Sequence, residues 1–311
     1  MNKTIKRAVI TGSTGMIGMA LTQYLLGLDI SVTVLIRPNS PKRDQLPKSD
    51  KITILEVDLS NLSSIEAFKD TNDPIDAFFH LGWGGTFGEA RDDMYVQNLN
   101  IKYTLDAVHL AHRLGCQVFV GTGSQAEYGR VEGKLQDSTP TFPENGYGIA
   151  KLCAGQMSRI ECKKLGIRHE WVRILSVYGP KDGYDTMIMT GIKELLKGER
   201  PVFSEGEQLW DYLYVKDAAR ALYLIALKGR DGAIYPLGSG QARPLKEYML
   251  LLASTIDPKA LIGIGEVPYR EKQVMYLCAD ISQLTKDTGF LPEITFEEGI
   301  KETVNWCRMG V

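Results

Sequence analysis

Apolar positions in the first half of the chain follow two alternating rhythms. Short runs are apolar at successive positions: Ala8-Val9-Ile10-Thr11, Val32-Thr33-Val34-Leu35-Ile36, Ile52-Thr53-Ile54-Leu55, Ile75-Asp76-Ala77-Phe78-Phe79, Val118-Phe119-Val120 and Trp171-Val172-Arg173-Ile174-Leu175. Such runs suit strands buried on both faces. Between them lie helical patterns through Gln23-Tyr24-Leu25-Leu26, over Met94 to Leu114 and over Ala150 to Leu165. A shorter helix is expected to open at Ser63, with Glu66 three residues on completing a capping box. Strands alternating with helices predict an α/β fold, a doubly wound parallel sheet of Rossmann type with helices on both faces.

After about residue 176 the rhythm loosens. Helical patterns at Met187 to Leu196, Asp217 to Leu227, Leu245 to Leu252 and Phe296 to Trp306 are separated by connections bearing Gly and Pro. The expected organisation is a dinucleotide-binding domain over 1–175, to which about 212–238 returns, and a smaller substrate-binding lobe made mainly from 176–311. A substrate is expected between the two parts.

Charge narrows the partners. Lys plus Arg (36) nearly cancels Asp plus Glu (38), and no basic run tracks a phosphate backbone, so nucleic acid is not expected. No apolar stretch approaches a membrane span, so no membrane association is expected either. The five cysteines include no CxxC pair and read as reduced thiols of a cytoplasmic protein. His109 and His112 on one helix, with Cys116 further on, have no fourth ligand at suitable spacing, so no metal is expected.

Gly12, Gly15 and Gly18 follow the first strand and open the first helix, with Met16 and Ile17 between the last two. Glycine there removes a Cβ that would block a dinucleotide's pyrophosphate, and the helix start offers N–H groups. An NAD site usually ends the second strand with an acidic side chain for the ribose hydroxyls. Here the strand ends Leu35-Ile36-Arg37, Arg37 with Lys42 or Arg43 can pair with a 2′-phosphate instead, and no carboxylate is expected nearby to repel it. A cation suits a 2′-phosphate, which favours NADP over NAD. Asp58, followed by Leu59, either reaches the adenine edge or caps a helix.

Tyr147 and Lys151 stand four residues apart on one helix face, where an ammonium favours a phenolate and the lysine also reaches the ribose. Tyr212 and Lys216 have the same spacing, but only the first pair has a hydroxyl, Ser124, ending the preceding strand.

These residues resemble the extended short-chain dehydrogenase/reductases, specifically the NAD(P)-dependent epimerase/dehydratase group acting on nucleotide sugars. The resemblance runs through the glycine motif, His80-Leu81-Gly82, Asn100 and Thr104, and Ser124 before Tyr128-Gly129. It continues through Tyr147 and Lys151, Arg173 to Val177-Tyr178-Gly179-Pro180, and Asp211 to Asp217. It implies Ser124, Tyr147 and Lys151 as catalytic residues, with Leu81, Gly82 and Asn100 beside the cofactor. Trp83, Gln125, Ser176, Trp210 and Arg270 are implied around the substrate, Trp83 serving equally as a cover for the lobe interface.

Departures refine the implication. The acidic pair with which 4,6-dehydratases eliminate water is replaced by Gln125 and Ala126, and Glu127 falls one place too far along. Ser176 stands where asparagine is common, and Trp210 where many relatives have an arginine for the diphosphate, although Arg270 matches another such arginine. The expected activity is an NADP-dependent reductase of a nucleotide-linked 4-keto-6-deoxy sugar. The alternatives are a nucleotide-sugar 4-epimerase holding NAD tightly and a catalytically silent dinucleotide-sensing regulator. Met94, Ile101, Leu105 and Val108 exceed one apolar stripe on their helix, and the resemblance implies a homodimer there.

Overall fold

The computed structural model of the protein describes residues 4–65, 75–183, 185–269 and 271–310. In chain order the first half comprises β1 (Arg7–Thr11), α1 (Met16–Gly27), β2 (Ser31–Ile36), β3 (Ile52–Glu56), β4 (Ala77–His80), α2 (Met94–Arg113), β5 (Val118–Ser124), α3 (Gly146–Leu165) and β6 (Arg168–Ile174). There follow β7 (Ser176–Tyr178), α4 (Met187–Leu196), β8 (Val202–Phe203), β9 (Leu209–Trp210), β10 (Tyr212–Tyr214), α5 (Val215–Lys228) and β11 (Ile234–Leu237). The chain ends with β12 (Arg243–Pro244), α6 (Leu245–Ile256), β13 (Gly263–Ile264), β14 (Tyr276–Leu277), α7 (Ser282–Thr288) and α8 (Phe296–Gly310).

Seven strands form the main sheet in the order β11-β6-β5-β4-β1-β2-β3, and every pairing is parallel. Parallel strands need crossovers that cover the faces, which is why their residues are apolar on both sides. On one face Ile10, Val34 and Val120 pack with Leu21 and Leu25 of α1 and Leu222 and Ile225 of α5. On the other, Val9, Phe78 and Phe119 pack with Ala107, Val108 and Leu110 of α2 and Cys162 of α3. This is the doubly wound sheet expected from the sequence. The chain winds outward from β1 in one direction and from β4 in the other, leaving a crevice between them at the carboxyl ends of the strands.

The lobe is held by aromatic side chains. Tyr248 meets Phe296 with ring centroids 4.5 Å apart, Tyr178 meets Phe296 at 4.9 Å and Tyr212 meets Tyr248 at 5.0 Å. Around them pack Ile188 and Ile192 of α4, Leu252 of α6 and Ile300 and Val304 of α8.

Two local expectations change. α3 begins at Gly146 rather than Ala150, because the Asn145 side chain accepts a bond from Gly148 N at 2.8 Å and caps the helix earlier. Tyr147 therefore sits in its first turn. The segment expected to open at Ser63 is a 3-10 turn over Leu59–Ser64 capped by Asp58, whose carboxylate accepts from Ser60 N at 2.9 Å. Ser63 lies near the end of that turn, and its expected partner Glu66 lies outside the described residues.

Candidate active site

A cleft of about 1350 Å³ runs over the carboxyl ends of β1, β2, β4, β5 and β6 and is walled on its far side by the lobe. Its floor begins at the glycine loop. Gly12 has φ +73, and a Cβ there would lie 2.7 Å from Gly82 N. A Cβ on Gly18 would lie 2.2 Å from Gly12 O. Only glycine lets β1, the end of β4 and the start of α1 converge this closely. Gly15 is the N-cap of α1 and contributes no side chain, leaving the first N–H groups uncapped by one. The loop is a cradle that side chains would fill, and it fits a dinucleotide's pyrophosphate.

Beside it, His80 locks the crevice. Thr11 Oγ1 accepts from Gly82 N at 3.1 Å, so its proton is directed to His80 Nδ1 at 2.9 Å. Thr104 Oγ1 donates to Asn100 O at 2.9 Å and thereby accepts from His80 Nε2 at 3.3 Å. The imidazole is thus neutral with its proton on Nε2, and burial pushes its pKa down to about 3. The loop after β4 is fastened to α2 in the same manner. Asn100 Nδ2 donates to Gly84 O at 2.9 Å while Gly84 N donates to Asn100 Oδ1 at 2.8 Å. Gln97 accepts from Trp83 Nε1 at 2.9 Å and donates to Gly85 O and Ala90 O, each at 2.8 Å. Asn100, Leu81, Gly82 and Trp83 all border the cleft.

At the other end of the floor, Arg37, Lys42 and Lys181 line the cleft together. Among the described residues Arg37 and Lys42 have no ion-pair partner, whereas Arg43 is engaged by Glu56 and does not line the cleft. Lys181, from the loop after β7, donates to Gln45 O at 3.1 Å and so joins the lobe to the sheet domain. Burial, then the nearby Lys42 charge, lowers its pKa. The expectation that no carboxylate opposes Arg37 needs correction. Parallel pairing places the end of β3 beside β2, bringing Asp58 close enough for Arg37 to help hold its carboxyl below the usual range, after the bonds from Ser60. Asp58 both caps its turn and lines the cleft with Leu59.

Ser124, Tyr147 and Lys151 converge where β5 ends and α3 begins, and all three line the cleft with Met16 and Ile17 opposite. Burial raises the Tyr147 pKa, and the neighbouring Ser124 hydroxyl and Arg91 charge pull it back. Lys151 is 3% exposed, donates from Nζ to Thr122 O at 2.6 Å and lies 3.8 Å over the Trp83 ring. Burial pushes its pKa down to about 7. Beneath them is Glu127, fully buried, which accepts from Ser124 N at 2.8 Å, Trp171 Nε1 at 3.0 Å and Arg173 Nε at 2.7 Å. Its side chain braces the strand end from behind and does not border the cleft.

On the lobe side Trp210 donates from Nε1 to Ser176 Oγ at 2.8 Å, and both border the cleft. Gln125 is not among the residues lining it, and Arg270 lies outside the described residues. The second tyrosine–lysine pair is split. Tyr212 borders the cleft, whereas Lys216 is exposed and bonds Glu302 at 2.6 Å. Sequence reasoning missed Arg91 and Lys181, which carry no spacing signal and reach the cleft only through the folding of their loops.

The sequence profile described as "NAD dependent epimerase/dehydratase family" matches residues 8–238. A UDP-glucuronate 4-epimerase of Thermodesulfobacterium geofontis is 26% identical, the match covering 97% of this chain and 96% of that protein. A dTDP-glucose 4,6-dehydratase of Haemophilus influenzae is 23% identical over 96% of each chain. Among solved structures, a UDP-N-acetylglucosamine 4-epimerase from Methanobrevibacter ruminantium M1, in complex with UDP-N-acetylmuramic acid, superposes with a TM-score of 0.88. It is 24% identical, with 99% of this chain and 100% of that one covered.

Proposed function

Because the chain belongs to the NAD dependent epimerase/dehydratase family, we propose that this enzyme is an NADP-dependent reductase of a nucleotide-linked 4-keto-6-deoxy sugar. The observation that carries this reading is a site in which Ser124, Tyr147 and Lys151 converge while the positions directly after Ser124 bring no acid into the cleft. Ala126 offers no carboxyl, Gln125 is outside the cleft and Glu127 is turned beneath it. Such a site suits a step that follows dehydration. Arg37 and Lys42, which have no ion-pair partner among the described residues, line the cleft with Lys181 and, although Asp58 lies near Arg37, support a 2′-phosphate and hence NADP.

The nicotinamide, when bound, supplies the hydride to the sugar's C4. Ser124 Oγ donates to the C4 carbonyl oxygen and polarises it. The Tyr147 hydroxyl gives its proton to that oxygen as the alkoxide forms, and the resulting phenolate is favoured by positive charge nearby. Lys151, fixed by Thr122 O at 2.6 Å, supplies part of that charge and reaches toward the ribose. The carbonyl becomes a hydroxyl, with proton and hydride both accounted for.

The reading extends to a homodimer in the cytoplasm. Val108, expected at the dimer interface, is instead buried against the sheet, whereas Tyr95 and Leu99 on α2 and Ile149, Met157 and Ile160 on α3 expose apolar surface on two helices in contact, with Tyr95 87% exposed. A second copy would cover it. The cysteines are free thiols, in keeping with a reducing compartment.

The test is to mix the purified protein with NADPH and a CDP-, dTDP- or GDP-linked 4-keto-6-deoxyhexose. The reading requires one NADPH consumed per sugar reduced. Interconversion of UDP-glucose and UDP-galactose with bound cofactor and no net redox change would establish the epimerase instead. Tight dinucleotide binding without turnover of either sugar set would point to the sensor.

A further inference from the structure

We propose that Arg91 is a positioning residue for proton transfer at Tyr147, its guanidinium seated on the phenol ring to supply the fixed positive charge against which the phenolate forms. The proposal rests on the reading of Tyr147 as the acid. Arg91 Cζ lies 4.3 Å from the centroid of the Tyr147 ring. A phenolate spreads its charge from the oxygen into the ring, so a cation above the ring face attracts the ionised form more strongly than the neutral one.

The guanidinium is held in place from two sides. Arg91 Nη1 donates to Thr86 O at 3.1 Å. The turn over Gly88–Arg91 is anchored where Gln97, only 1% exposed, donates to Ala90 O at 2.8 Å. Among the described residues no carboxylate pairs with Arg91, so its charge is not cancelled locally.

Lysine on the catalytic helix is less well placed for the same task. Lys151 Nζ lies 5.8 Å from the Tyr147 ring centroid, is nearer the Trp83 ring and is bonded to Thr122 O. Burial works against the charged form of Lys151, whereas a guanidinium stays protonated. The other charges near the phenol oppose it. Glu127 lies behind Ser124 and raises the Tyr147 pKa, and the Asp92 carboxylate accepts from Gly146 N at 2.8 Å at the start of α3. Arg91 is thus the constant cation in a mixed field formed by α3, the turn after β5 and the segment before α2.

The test reads the phenol directly. In protein labelled with 3-fluorotyrosine, whose phenol is more acidic than tyrosine's, fluorine NMR with NADP⁺ added follows each of the 14 tyrosines. The Tyr147→Phe variant identifies the relevant resonance. Arg91→Gln keeps a planar group on the ring but no charge, and its Tyr147 midpoint should lie about one pH unit or more above wild type. Arg91→Lys, which keeps the charge, should recover at least half of that shift. An Arg91→Gln midpoint equal to wild type overturns the proposal, as does an Arg91→Lys midpoint no lower than that of Arg91→Gln. Arg91→Met is read by the same criterion should the glutamine variant fail to fold. Failure of the reductase reading would appear separately, as absence of NADPH consumption by wild-type protein, and leaves the fluorine result unchanged.

Discussion

The sheet side of the cleft and the lobe side are built by different means. On the sheet side, backbone does most of the shaping: Gly12 and Gly18 bring three elements together, and strand ends present Ser124 and the His80 lock. On the lobe side the wall presents Tyr212, Trp210 and Ser176, the last two bonded to each other, and is backed by the buried rings of Tyr178, Tyr248 and Phe296. A backbone-built surface is fixed by topology, while a ring-built surface is set by which side chains happen to fill it. The first suits a cofactor with an invariant pyrophosphate and the second a substrate that differs between relatives.

The largest effect should follow from breaking the sheet side at its chemical centre. Tyr147→Phe removes the proton donor while leaving ring packing intact, and turnover should fall by about 10² to 10⁴ with little change in dinucleotide affinity. Steady-state rates alongside nicotinamide fluorescence titrations check this. Retained turnover would remove Tyr147 from the mechanism and return attention to Tyr212.

Acid acts mainly on the sheet side. Burial lowers His80 to about 3 and His169 to about 4, both on the sheet side, where they sit neutral. Each folded pKa lies below the unfolded value, so above about 6.5 their contribution to stability is fully present. As the pH falls below that value the unfolded chain takes up protons that the native imidazoles refuse, and stability declines until the folded pKa is reached. Two such groups predict a loss of about 4 kcal/mol between pH 7 and 5. Denaturant titrations across that range should show the loss, and His169→Phe, which preserves stacking on Phe119 and Trp171, should flatten the slope by about half. An unchanged slope would place the acid sensitivity elsewhere.

Cofactor choice is a smaller effect on the same side. Charge-assisted bonds to a 2′-phosphate contribute about 1.5–3 kcal/mol, so Arg37→Ala should weaken NADPH binding by about 10- to 100-fold and leave NADH nearly untouched. Equal wild-type affinities for the two dinucleotides would remove the basis for NADP. Lys42 and Lys181 should soften the loss if they share the phosphate.

The contrast also explains what was legible from sequence. The strands could be read because burial on both faces forces continuous apolar runs, and Ser124, Tyr147 and Lys151 because a strand end and one helical turn bring them together. Arg91 and Lys181 were not legible. Each lies in a loop, and its place depends on contacts such as Gln97 with Ala90 or Lys181 with Gln45, which no spacing encodes. Glu127 was visible as an acid, but its role as a buried acceptor for Ser124 N, Trp171 and Arg173 depends on β5 and β6 pairing, with Ser124 opposite Ile174. The closeness of Asp58 to Arg37 was hidden for the same reason, since it arises from β2 and β3 lying side by side.

The smallest effect tests whether the two sides act independently. Trp210 donates to Ser176 Oγ at 2.8 Å, and its carbonyl accepts from Tyr248 OH at 3.0 Å, so it links the rings to the cleft wall. Trp210→Phe keeps an aromatic body and the carbonyl but loses the indole N–H, leaving Ser176 without that donor. The lost bond should cost about 1 kcal/mol in stability. If the lobe serves the sugar nucleotide alone, KM for that substrate should rise a few-fold while the dissociation constant for NADPH stays at its wild-type value. Stopped-flow binding of NADPH and steady-state kinetics on one preparation separate the two. A matching loss of NADPH affinity would show that the ring-built wall also sets the shape of the cofactor floor, and Lys181, which bonds Gln45 across the same boundary, would then be the place to look for the coupling.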